Sequence, residues 1–259
     1  SGRPSWKEVA DLPHEARMAC LREPEFRAKL LAEPTADGSM ARRVTRWDRI
    51  FEFGDPPNYE PRAEDSVAAR AAVEARDVQE YCYDLLLKNN GRNILYRPLS
   101  TFTYGTLDTI HDMMTHPHTL IGLGDGGAHV GILTDASTIT YMLAHWTRDR
   151  TRGPKLALPW AIKRLTSDNA QAIGLGDRGL VRPGLKADLN VIDHDRIALK
   201  APHVVYDLPA GGRRLMQRTE GYVATILAGE IVHRDGQATG RTPGRLVRGA
   251  RSAPTPFAQ

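Results

Sequence analysis

The chain has 259 residues, of which 41% are hydrophobic and 25% charged, and a formal net charge of +4. This length holds one large domain or two small ones, and the composition is that of a folded globular protein. Acidic residues are interspersed with the basic ones, so no basic stripe for nucleic acid forms. No apolar run approaches the roughly 18–20 residues of a membrane span.

The start, Ser1-Gly-Arg-Pro-Ser5, has neither Met nor the apolar core of a signal peptide, and reads as either a cleavage scar or the cut edge of a longer protein. Cys20 and Cys82 have no metal or redox spacing, which suits a reducing compartment and predicts a cytoplasmic protein. Residues 5–33 predict helix, with Trp6, Val9, Leu12, Ala16 and Cys20 recurring at helical steps and Pro24 interrupting. His14 there reads as a solvated helix histidine, and residues 34–46 as a surface connection. Arg49-Ile-Phe-Glu-Phe53 predicts a strand, closed by the turn chemistry of Gly54 to Pro61. A helix from Glu64 to about Lys88 follows, stopped by Asn89-Asn90-Gly91. Asn93 to Arg97 predicts a second strand, halted by Pro98, then a helix from Tyr104 to Met114.

The next stretch, Thr119-Leu-Ile-Gly-Leu-Gly-Asp-Gly-Gly-Ala-His129, reads as a third, buried strand (119–123) breaking into a Gly-rich turn around Asp125. Gly124, Gly126 and Gly127 permit close approach of another group, so Asp125 is placed as a strand-end carboxylate facing a ligand. Three strand–helix units in a row predict a parallel sheet with chemistry at its C-terminal strand ends. Eight strands close a barrel, so three imply either an open sheet or a partial barrel, and the reading favoured is a partial barrel whose remainder lies outside this chain. Helices from Ala136 to Trp146 and from Leu158 to about Ile173 come next. From Ala187 the pattern alternates, in runs 188–193, 203–206, 214–217, 223–227 and 230–233, predicting an antiparallel sheet with turns at Gly211-Gly212, Gly229 and Asp235-Gly236. The predicted organisation is a barrel segment over 1–175, a small β-domain over 176–248 and a tail over 249–259.

These residues resemble the C-terminal part of the amidohydrolase superfamily, most closely its D-aminoacylase (N-acyl-D-amino-acid deacylase) group. Gly124-Asp-Gly-Gly-Ala-His129 is similar to that group's eighth-strand motif, and Thr166-Ser-Asp-Asn-Ala170 to the helix after the barrel. The run from Gly174 to Asp193 resembles the signature leading into the small β-domain, and Thr225 to Val232 its closing hairpin. The resemblance implies a (β/α)₈ barrel, here its last part with about three β/α units, followed by an antiparallel β-sandwich portion. It implies a zinc-dependent hydrolase of an amide bond in which Asp125 both touches the metal and handles the proton of the attacking water.

The family's His-x-His pair has no counterpart at a strand end. His116-Pro-His118 has the spacing but precedes the third strand, and is read as a turn. The metal's histidines are therefore expected outside this chain. His129 either orients Asp125, reaches substrate or bonds backbone. Arg97 either pairs with a substrate carboxylate or forms a structural ion pair. His145 and Trp146 read as core, Asp188 and Asp193 as turn residues.

Three functions stay open: deacylation of an N-acyl-D-amino acid, hydrolysis of a cyclic amide, or a structural module inactive by itself. The expected partners are a small-molecule amide and either a second copy or the missing N-terminal part.

Overall fold

A computed structural model describes residues 3–34, 45–122, 124, 126, 127, 129–132 and 135–254. The chain mixes helices and strands and divides into two compact units, Ser1–Thr106 and Leu107–Gln259.

In the first unit the expected N-terminal helix forms as three: α1 (Trp6–Ala10), α2 (His14–Arg22) and α3 (Pro24–Ala32). Pro24 opens α3, where its missing N–H is harmless. The second predicted helix is also divided, into α4 (Val67–Val73) and α5 (Val78–Gly91). Ser66 caps α4, and Asp77 caps α5 by accepting from the Gln79 and Glu80 amides, at 2.9 and 3.1 Å. The regular part of α5 stops at Leu87, since Lys88 is extended and Asn89 and Asn90 take left-handed backbone, as the Asn-Asn-Gly stop requires. Val9, Met18, Leu21, Leu30 and Tyr83 pack the helices together. His14 is not simply solvated, because its ring meets the Asn90 carbonyl at 2.8 Å.

The strands β1 (Phe51–Glu52) and β2 (Leu95–Tyr96) lie within the predicted runs but pair antiparallel, Phe51 opposite Tyr96. This corrects the expected parallel sheet. After β1 the chain folds straight back: the Val67 amide donates to the Ile50 carbonyl at 2.8 Å, and Phe51 forms an antiparallel bridge with Ser66. That return occupies the other edge of β1. The returning loop is held by Phe53, Tyr59 and Tyr96, whose ring centroids lie 4.9–5.5 Å apart.

The second unit begins with α6 (Asp108–Thr115). Later come α7 (Thr138–Tyr141), continued by a π-helix over Met142–Asp149, then α8 (Leu158–Leu165) and α9 (Ser167–Ala172). The Arg150 amide reaches the His145 carbonyl at 2.8 Å, five residues back. Trp146 is buried, as expected of core, while His145 stacks on Tyr141 with centroids 4.5 Å apart. Arg150 is fully buried beneath this helix. Its guanidinium bonds Asp108 at 2.6 Å and the Pro154 carbonyl at 2.9 Å, and lies 4.7 Å from the Trp146 ring centroid.

The C-terminal alternating runs form antiparallel strands, as predicted. These are β3 (Leu189–Ile192), β4 (Ala198–Leu199), β5 (His203–Leu208), β6 (Gly212–Met216), β7 (Thr219–Glu220), β8 (Tyr222–Leu227), β9 (Glu230–Arg234) and β10 (Gln237–Ala238). One sheet has the order β10-β9-β8-β3, while β4 pairs with β7 and β5 with β6. The β8–β9 turn, Ala228-Gly229, and the β9–β10 turn, Asp235-Gly236, have positive φ at both central residues. This is the type I′ geometry that matches strand twist. Asp188 bridges distant segments rather than a local turn, accepting from the Ala228 amide at 2.9 Å and pairing with Arg178 at 3.3 Å. Asp193 is the turn residue expected, accepting from the Arg196 amide at 3.3 Å. Ile197, fully buried, packs with Leu143 and Ala144 and joins helix to strands within this unit.

Candidate functional site

Asp125, the expected catalytic and metal-touching carboxylate, lies outside the described residues. The chain on either side of it is described.

Upstream, residues 119–122 are not a strand, and Leu120 is 50% exposed. This corrects the expected buried third strand. Gly122 and Gly124 weaken β-structure, and the carbonyls a neighbouring strand would pair are taken by side chains. Asn169 donates its amide to the Ile121 carbonyl at 2.7 Å, and the Arg164 guanidinium donates to the Thr119 carbonyl. Arg164 is itself fixed by Asp168 at 3.3 Å, and Asp168 also pairs with Lys163. Lys163 first, and Arg164 after it, hold the Asp168 carboxyl below its ordinary pKa. The Thr166–Ala170 motif thus acts as a strand substitute along the approach to Asp125.

Downstream, Gly126 lies so close to Ala136 that a Cβ placed on it would stand 2.8 Å from the Ala136 Cβ. Only glycine permits that approach. His129 has left-handed backbone, is exposed, and its carbonyl accepts the Ile132 amide at 2.8 Å. The next carbonyl, that of Val130, accepts the Leu215 amide of β6 at 2.7 Å. Ser137 donates to Gln217 Oε1 at 2.5 Å, and Gln217 Nε2 donates to the Lys200 carbonyl at 3.0 Å. The Gly-rich turn is therefore tied to α8–α9 before Asp125 and to β6 after it. Sequence reading missed Asn169 and Gln217 in these roles. The Thr166–Ala170 match was the signal for the first, whereas nothing local marks the second.

Among the other predicted residues, Arg97 is half-buried and follows β2 in the first unit, while His129 belongs to the second. His116 and His118 are exposed, and the His118 amide lies 3.3 Å from His116 Nδ1, a turn as expected. A buried carboxylate that sequence reading passed over is Glu60, in the loop after β1. Cys82 is buried among Ile50, Val67 and Leu85, which pushes its thiol pKa up to about 11.

The model of the amidohydrolase family matches residues 4–233, most of the chain, including the Gly-rich turn and all the strands through β8. The chain belongs to the amidohydrolase family. Membership brings hydrolysis at carbon–nitrogen bonds as the chemistry, and a barrel superfamily as the fold setting. No curated protein and no solved structure matches the chain. Amidohydrolases imply a metal, yet among the described residues no three His, Cys, Asp or Glu side chains come together to hold one. The zinc expected from the resemblance thus finds no ligand set among them. No helix of the described residues is long and apolar enough to cross a membrane.

Proposed function

We propose that this amidohydrolase removes the acyl group from an N-acyl-D-amino acid, with Asp125 as the proton-handling residue. The supporting observation is the family match over residues 4–233, within which Gly124 to His129 follows the family's aspartate motif. A carboxylate there takes a proton from the water that attacks the acyl carbon and returns it to the departing nitrogen. Both transfers need one carboxylate at a fixed place, and the turn's tethers on both sides suit that need. We assign the metal's histidines, zinc's in the first instance, to residues outside this chain, so that the 259 residues alone are inactive and work in association with that missing part.

His129, exposed on the same turn, is assigned to substrate. Arg97 is assigned to the substrate carboxylate on the fork geometry of its guanidinium alone. Replacing Arg97 by Ala is expected to raise KM for an N-acyl amino acid about tenfold with kcat little changed, the loss of one charge-assisted contact.

One observation favours a second reading. His129 is followed by Val130-Gly131, where the deacylase group carries a His-Pro-Arg segment that helps hold the substrate carboxylate. A cyclic amide, with no free carboxylate, would not need that arginine. A panel of N-acetyl-D-amino acids, N-acetyl-L-amino acids and hydantoins given to the intact protein separates the readings. Turnover of the D-series supports deacylation. Turnover confined to hydantoins replaces it with the cyclic-amide reading.

A further inference from the structure

The mixing of acids with bases along the chain ends at Asp235. After it come Arg241, Arg245, Arg248 and Arg251 with no aspartate or glutamate, which leaves 31 bases to 31 acids elsewhere. The whole net charge of +4 therefore lies beyond β9. We infer that the segment from Arg241 to Arg251 is an arm that docks on an anionic lipid surface, resting on it without crossing. This role is separate from hydrolysis and does not depend on Asp125.

The arm is held at both ends. At its start the Thr239 amide donates to the Val232 carbonyl at 2.9 Å, and the Thr239 hydroxyl to the Ile231 carbonyl at 2.8 Å, both in β9. At its end Arg251 forms a parallel bridge with Leu175. The Arg251 amide donates to the Gly174 carbonyl and the Arg251 carbonyl accepts the Gly176 amide, each at 2.7 Å. A Cβ on Gly176 would stand 2.8 Å from that Arg251 oxygen, so glycine is what lets the arm seat there. Arg245, Arg248 and Arg251 are all exposed. Arg241 lies 3.9 Å from Glu230, whereas among the described residues the other three guanidiniums have no acid partner.

Three unpaired cations on a tethered segment attract any polyanion, and aliphatic side chains select the lipid. Leu246 and Val247 sit between Arg245 and Arg248, with Leu246 73% exposed. Ile173, Leu180 and Val181 are exposed in the chain flanking the Gly174–Gly176 anchor. Such side chains gain by entering the headgroup boundary while the arginines meet the lipid's anionic groups. Nucleic acid offers them no apolar layer, and residues 236–254 hold no aromatic ring on which a base could stack.

The test measures co-sedimentation of the intact protein with vesicles of phosphatidylcholine and phosphatidylserine at about 7:3, against vesicles of phosphatidylcholine alone. Binding is expected to the mixed vesicles only, and to vanish at about 0.5 M salt. Changing Arg245, Arg248 and Arg251 together to Gln leaves the backbone anchors in place and is expected to weaken binding about 10²-fold, roughly fivefold for each charge. Leu246→Ser with Val247→Ser is expected to weaken it about tenfold. No binding to the mixed vesicles, equal binding to phosphatidylcholine alone, or undiminished binding by the triple Gln variant overturns the proposal. Wild-type affinity in the double Ser variant overturns lipid as the occupant. A DNA duplex of about 20 base pairs that then strips the protein from the vesicles identifies a nucleic-acid arm in its place.

Discussion

At the scale of the residue, side chains do what regular structure would otherwise do. Asn169 supplies the Ile121 carbonyl with the donor a neighbouring strand would have given. Asn169→Leu deletes that donor beside a carbonyl otherwise out of a ladder, and is expected to lower stability by about 1–3 kcal/mol in chemical denaturation. Asp168 adds a pH dependence. Its pKa is lowered by Lys163 and Arg164, so its contribution is present above the ordinary aspartate value near 3.9 and is lost as pH falls through the depressed value. Acid titration should therefore show a loss of stability below about pH 4 that is smaller in Asp168→Asn.

Arg150 is the other residue to weigh, because a guanidinium with no exposed surface needs its acceptors. Asp108→Ala removes one and is expected to cost about 2 kcal/mol, visible as a lower midpoint in urea. Cys82, with its thiol pKa near 11, should react with a disulfide reagent at pH 7.5 far more slowly than Cys20. Equal labelling rates in the native protein would show that α5 opens locally.

At the scale of the element, short-range signals were the most legible. Proline and asparagine–glycine punctuation placed the breaks at Pro24 and Asn89–Gly91, and alternation placed the C-terminal strands. The Gly229 and Asp235-Gly236 turns were readable because type I′ backbone wants residues that tolerate positive φ. Ala228 is the exception, holding φ at +51. Ala228→Asn should therefore stabilise the β8–β9 hairpin by about 0.5–1 kcal/mol, read as a rise in Tm.

What sequence could not show was pairing direction. Strand–helix–strand order suggests a parallel sheet, but order says nothing of where a chain turns back. The Val67 and Ser66 contacts with Ile50 and Phe51 close the outer edge of β1 and leave β2 antiparallel beside it. The run from Thr119 failed as a strand for another long-range reason, since its carbonyl partners come from residues more than 40 positions away.

At the scale of the whole molecule, the family was legible from its motifs, while half of the support around the Asp125 turn was not. The Thr166–Ala170 and Gly174–Asp193 stretches carry local patterns, and the match over residues 4–233 agrees with them. Gln217 carries no pattern, since a glutamine after a strand is ordinary until the chain segment at Ser137 is brought to it. The account stands on what Asp125 does. The decisive measurement is kcat of the intact protein for an N-acetyl-D-amino acid in wild type and Asp125→Asn, with folding checked by far-ultraviolet circular dichroism. The account predicts a folded variant with kcat lowered about 10²–10⁴-fold. A folded Asp125→Asn protein that turns over at the wild-type rate would contradict it.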